Sequence, residues 1–230
     1  MTLPQALAAL QSAGTAQNRK VYARHGAGGN MFGVSFADLT ALKKKIGTDH
    51  DLACALWNSG NYDARVLATM IADPAKVTSA HLERWLKDVD NYMLAAELAR
   101  LTARTPLARK KLSRWTGSSQ EWPGAAGWDL AARLALEDAS LPDSYFEELL
   151  ATIESGIHAA ANRTRHSMNG ALIAIGSRNP ALREKALAAA DRIGTVRVDH
   201  GQTGCRTPDA RDYILKTAGR KQARRATAVT

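Results

Sequence analysis

NYDARVLATMIADPAKVTSAHLERWLKDVDNYMLAAELARLTARTPLARKKLSRWTGSSQEWPGAAGW, residues 61–128, decides the fold, because one helical-hairpin pattern recurs in it at a nearly constant spacing. Asn61-Tyr62 is followed 30 residues later by Asn91-Tyr92, and Trp122 lies about 30 further on. An amphipathic segment precedes each point (residues 52–57, 82–89 and 107–115), and an Ala/Leu-rich segment follows each. Two helices per unit of roughly 30 to 45 residues is the pattern of an α-solenoid, in which a lone hairpin cannot bury its apolar face and neighbours stack. The expected fold is therefore all-α, with about six hairpins in 230 residues.

Outward from that stretch, punctuation residues divide the chain. Residues 3–24 read as one amphipathic helix, and residues 26–34, with four glycines in nine, as a loop. Ser35 caps a helix over 36–46 that ends at Gly47. Thr48 or Asp49 opens the next, which Gly60 closes; Asn61 then caps a helix over 62–72 that Pro74 stops. Asp90 or Asn91, with Asp90 preferred, is read as the cap of a helix over 92–103. Thr105-Pro106 and Asn179-Pro180 each place a cap before a proline, a specific start signal. GTVRVDHGQTGCR, residues 194–206, reads as a long loop, and a last helix follows Thr207-Pro208-Asp209.

Composition agrees with this reading. Hydrophobic residues, mostly Ala and Leu, make up 45% of the chain, and aromatics only 6%. No apolar run approaches the roughly 18 residues of a membrane span, and the N-terminus lacks a signal-peptide layout, so a cytoplasmic location without a membrane partner is expected. One domain over residues 1–215 and a basic, disordered tail over 216–230 are expected. The tail carries Lys216, Arg220, Lys221, Arg224 and Arg225, and setting these five aside leaves +4 of the net +9. Basic clusters in the body, at Lys43-Lys44-Lys45, Arg109-Lys110-Lys111 and Arg163 with Arg165, would form an electropositive groove if they share the inner face of a solenoid; the alternative is solvated outer faces.

Cys54 and Cys205 are too few for a disulfide framework, Cys54 reads as a small core residue, and no metal-ligand spacing is read among the six His. No Gly-rich strand-to-helix motif is present, so neither a cofactor nor a metal is expected. Asp199-His200 in the long loop is a candidate proton-transfer pair, though one acid beside one His is a common chance event. Trp57, Trp85 and Trp115 have apolar neighbours at helical spacing and read as core.

FGVSFADLTALKKKIG (32–47), LWNSGNYDARVLATMIADP (56–74), WLKDVDNYMLA (85–95), EWPGAAGW (121–128) and AIGSRNPALREKALAAADRIG (174–194) resemble, in that order, the AlkD-like bacterial DNA alkylation-repair family. The resemblance runs over residues 17–215. It implies HEAT-like repeats curved into a C whose basic concave face grips double-stranded DNA. Active members are glycosylases that release N3- or N7-alkylated purines, using an aromatic, a carboxylate that stabilises the sugar cation, tryptophans against the backbone and an arginine on phosphate.

Carried over by residue, the resemblance keeps the aromatic as Tyr92 but puts the carboxylate on Ala96 and the arginine on Ala125. Glu97, beside the lost carboxylate, and Asp129 are the acids left as catalytic candidates with Tyr92. The candidate DNA-binding residues are Lys43, Lys44, Arg65, Lys87, Lys110, Lys111, Trp122, Trp128, Arg163 and Arg165. For Arg65 an ion pair with Asp63 or Asp88 is the alternative. A monomer is expected; the resemblance implies binding of duplex or distorted DNA and leaves glycosylase activity open, and the competing reading is a non-catalytic interaction solenoid for an acidic protein partner.

Overall fold

The structure, a computed structural model, describes residues 1–227, with side chains through Arg220. Among the described residues it contains thirteen helices and no strand. In chain order they are α1 (Leu3–Ala13), α2 (Ala16–Arg24), α3 (Phe36–Ile46), α4 (His50–Asn58), α5 (Tyr62–Ile71), α6 (Ser79–Lys87), α7 (Tyr92–Ala103), α8 (Ala108–Thr116), α9 (Glu121–Glu137), α10 (Asp143–Gly156), α11 (Asn162–Gly176), α12 (Pro180–Ile193) and α13 (Ala210–Thr227). Among the described residues, no helix is long and apolar enough to cross a membrane.

The chain forms two compact units, Met1–Ser113 with Gly201–Gly204, and Arg114–His200 with Cys205–Thr230. In the first, α5 packs on α4, α3 and α7, while α6 packs on α7. Trp57 of α4 and Trp85 of α6 stack face to face, with centroids 4.3 Å apart and planes 2° apart, and both are buried. In the second, α11 is central and packs on α9, α12, α13 and α10. Its closest neighbour, α9, approaches through small residues: a Cβ at Gly124 would lie 2.7 Å from Thr164 Oγ1.

The recurrence at Asn61 and Asn91 is a repeated cap. Asn61 Oδ1 accepts the Ala64 amide at 3.1 Å and Asn91 Oδ1 accepts the Leu94 amide at 2.9 Å. Each cap satisfies an otherwise orphaned amide and sets a tyrosine at the first helical position. Asp90, expected to cap this helix, instead accepts from Asn91 Nδ2 at 2.7 Å.

The single helix expected over 3–24 is two helices. Gly14 ends α1 and Thr15 caps α2 by accepting the Asn18 amide. Any side chain at Gly14 would collide with the Phe32 carbonyl, 2.2 Å from its Cβ, so a glycine is required where the break occurs. Helix α13 continues past the expected end near Ile214 as far as Thr227. The expected tail over 216–230 falls mostly on residues whose side chains lie outside those described.

Candidate nucleic-acid interface

Tyr92 is half-buried at the start of α7, and its hydroxyl is hydrogen-bonded to His25 Nδ1 at the end of α2. The rings meet edge to face with centroids 5.9 Å apart. Tyr62, its equivalent one repeat earlier, is buried, and its hydroxyl donates to Met93 Sδ at 3.7 Å. Burial, with the nearby acids and tyrosines, holds the Tyr62 phenol far above its ordinary range.

The glycine-rich stretch between α2 and α3 is an ordered strap laid against this site. Asp63, fully buried on α5, accepts the amides of Phe32, Gly33 and Val34 at 2.6, 3.0 and 2.8 Å. Three donors on one carboxylate compensate its removal from water. Tyr22 Oη donates to the Val34 carbonyl at 2.7 Å, and the Tyr62 amide to the Asn30 carbonyl at 2.9 Å. Gly33 has φ +80° with its Cβ position 2.6 Å from the Thr15 carbonyl, so no other residue fits. Asn30, Tyr62, Arg65 and Asp90 are among the residues lining a small cleft beneath the strap.

One turn after Tyr92, on the same helical face, stands Ala96, half-buried and without a functional group. Glu97 projects about 140° away from Tyr92. It is 5% exposed, lies 3.4 Å from Arg100 Nη2, and shares a cavity with Lys43, Thr69 and Arg104. Tyr92 and Glu97 thus leave α7 in different directions, while both act electrostatically on the Tyr62 phenol.

In the second unit, Ala125 is fully buried, and the core around it has no room for an arginine. Asp129, half-buried on α9, is hydrogen-bonded by Ser167 of α11. Burial pushes its carboxyl up to about 6, against the lowering effects of Ser167 and Arg133. Trp128 is 1% exposed and belongs to the core, contrary to its expected DNA contact, whereas Trp122 is half-buried.

The basic candidates separate in the same way. Lys43, Lys44, Lys87 and Lys110 are exposed. Lys43, Lys44 and Lys87 lie in last helical turns, where the helix dipole also favours a cation. Lys111 is 1% exposed, and its Nζ meets Glu83 Oε1 at 2.5 Å and Ser79 Oγ at 2.8 Å, which withdraws it from a phosphate-binding surface. Arg65 donates to the Asp88 carbonyl at 3.1 Å, lies 3.6 Å from the Asp88 carboxylate and covers the Trp57 ring. Trp57 Nε1 donates to that carboxylate at 2.8 Å, so Arg65 brackets α4, α5 and the end of α6. Arg165 donates to the carbonyls of Arg197 and Ala160 and clamps the loop after α12. The Arg163 amide donates to Glu121, and its guanidinium lies 3.4 Å from His200 Nδ1.

Two groupings had little signal in the sequence. His25 is isolated in sequence, and its place at the end of α2 brings it to Tyr92, 67 residues later. His166 and His200 meet edge to face with centroids 5.3 Å apart. Burial, joined by the Arg163 charge, holds both imidazoles below their ordinary range. Within the Asp199-His200 pair, the Asp199 backbone pairs with Asn162 and His200 Nε2 pairs with Thr207 Oγ1 at 2.9 Å.

Comparison with known proteins places these features in a lineage. An uncharacterized protein of Listeria innocua serovar 6a is 30% identical over 227 residues, covering 96% of this chain and 99% of its own length. A second, from Listeria monocytogenes serovar 1/2a, is 29% identical over 227 residues with the same coverage. A solved structure, described as a new family of proteins related to the HEAT-like repeat DNA glycosylases with affinity for branched DNA structures, superposes with a TM-score of 0.90. It is 28% identical, and the match covers 96% of this chain and 95% of that one. The fold is thus the HEAT-like helical-repeat fold expected from the 30-residue recurrence. The DNA alkylation repair enzyme family matches residues 5–214, and the chain belongs to that family.

Proposed function

We propose that this protein binds DNA of branched or distorted structure and does not use the family's excision chemistry. The observation that carries the reading is the α7 face, where Tyr92 is followed one turn later by Ala96 instead of a carboxylate. Cleavage of an N-glycosidic bond builds positive charge on the sugar, and a fixed anion beside it supplies much of the rate enhancement. Glu97 shares a cavity with Lys43, Arg100 and Arg104 and leaves α7 about 140° from Tyr92, and Asp129, ionised at physiological pH with its carboxyl titrating at about 6, is engaged by Ser167 of the core. The buried Ala125 supplies no phosphate-binding arginine.

The exposed lysines and the net charge of +9 support binding to a polyanion. The affinity for branched DNA described for the related structure supports a junction-like substrate. The test is release of free base from duplex DNA carrying N7-methylguanine, measured alongside binding of the same DNA. Binding with release at the spontaneous rate is expected. Release well above that rate, abolished by Asp129→Asn or Glu97→Gln, would replace this reading with a glycosylase that has relocated its carboxylate. Absence of salt-sensitive DNA binding would favour an acidic protein partner.

A further inference from the structure

His50 and Cys54 stand one turn apart on α4, and His81 is the third residue of α6. One nitrogen of each ring and the Cys54 sulfur all lie within 4.8 Å of one another. His50 Nε2 is 3.8 Å from Cys54 Sγ, and the two imidazoles have centroids 5.3 Å apart at 44°. A tetrahedral zinc ion, with bonds of about 2.0–2.1 Å to nitrogen and about 2.3 Å to sulfur, requires ligand atoms roughly 3.3–3.7 Å apart. The His50–Cys54 pair is already near that spacing, and the third ligand needs only a small closure.

The His50 ring is otherwise uncommitted. Its Nδ1 is buried with no hydrogen-bond partner, and its other nitrogen makes the long contact to the thiol. A buried imidazole that serves neither as a firm donor nor as a firm acceptor is costly unless something else engages it. His50 and His81 are 31 residues apart and occupy the opening helices of consecutive hairpins. We propose that His50, Cys54 and His81 bind a zinc-class divalent cation that staples α4 to α6, leaving one coordination position to water.

The donor set selects the ion. One sulfur and two imidazole nitrogens suit a borderline-soft cation, whereas magnesium and calcium require oxygens. The charged groups acting on the cluster are Arg84, which disfavours a cation, and Asp51, which favours one. The thiolate formed on coordination offsets Arg84. Burial raises the Cys54 thiol, so it is protonated before the ion arrives and passes that proton to solvent on binding. Burial, with His50 and Arg84, holds His81 below its ordinary value, so at neutral pH it offers a lone pair. His81 Nδ1 now accepts the Thr78 amide at 3.4 Å. Coordination through either nitrogen ends that bond, because Nδ1 would either hold the ion or carry the ring proton. The reciprocal cap, from the His81 amide to Thr78 Oγ1 at 3.1 Å, is unaffected.

The experiment is titration of the chelator-stripped, reduced full chain with Co²⁺ alone, followed by absorbance, with Zn²⁺ added afterwards. One equivalent of Co²⁺ should produce a thiolate-to-cobalt charge-transfer band that Zn²⁺ removes and that the Cys54→Ser and His81→Ala variants lack. Cys205→Ser should retain it, since Cys205 lies elsewhere and is exposed. Circular dichroism melting without metal verifies that each variant is folded. A wild-type titration with no charge-transfer band overturns the proposal, as does a band that survives Cys54→Ser or disappears only in Cys205→Ser.

Discussion

Tyr92 and His25, 67 residues apart in sequence, are joined by a hydrogen bond between the phenol hydroxyl and imidazole Nδ1. The bond ties the start of α7 to the end of α2 and holds the aromatic face of Tyr92 in one orientation. If that ring stacks on an unpaired or distorted base, Tyr92→Ala should weaken junction binding by about tenfold, since such stacking is worth about 1–3 kcal/mol. Tyr92→Phe should bind nearly as well while losing about 1 kcal/mol of stability with the hydrogen bond. Fluorescence anisotropy and thermal melting of the two variants separate these effects.

The Asp63 carboxylate organises the strap by accepting three consecutive amides. Asp63→Asn removes the charge and turns an NH₂ group toward backbone donors. The expected loss is about 3–5 kcal/mol, the range for breaking a buried charged network. Hydrogen exchange at the amides of Phe32, Gly33 and Val34 should accelerate ahead of the rest of the first unit. Unchanged protection there would mean that the strap is held by other contacts.

Asp129 makes stability fall as pH rises. Its carboxyl titrates at about 6 when folded and 3.8 as the reference value, so the folded chain binds the proton more tightly. The favourable contribution is complete below pH 4 and lost as pH rises to about 6, a change of about 3 kcal/mol at most. Asp129→Asn keeps a group able to pair with Ser167 and removes the titration. The variant should be more stable than wild type at pH 7, and the two should converge near pH 4 in denaturant melts.

Lys111 and Lys44 separate a structural cation from a binding one. Lys111→Ala removes a buried cation that meets Glu83 at 2.5 Å and should cost about 3 kcal/mol. The salt dependence of DNA binding should be unchanged in that variant at a temperature where it is folded. Lys44→Ala should leave the melting temperature unchanged and reduce the slope of log K against log salt by about 0.9.

The helices were legible because local signals agree with tertiary packing. Ser35, Asn61 and Asn179 each cap the helix that their position announces. The break at Gly14 was hidden because its cause is the Phe32 carbonyl, a contact across the strap that no local pattern encodes. Site residues were legible as positions and less so as roles. Lys111 reads as one of three adjacent basic residues, but helical phase turns it onto Glu83 while Lys110 stays exposed. His50 and Cys54 carry a readable i, i+4 signal, whereas the third member, His81, lies on another helix. Cys54, read as a small core residue, is half-buried beside His50.

The most direct test of the account is the affinity of the full chain for a four-way DNA junction and for a linear duplex built from the same arm sequences, measured across a salt series. The account predicts junction binding about tenfold or more tighter than duplex binding, both falling steeply with salt. Equal affinity for the two, or junction binding insensitive to salt, would contradict it.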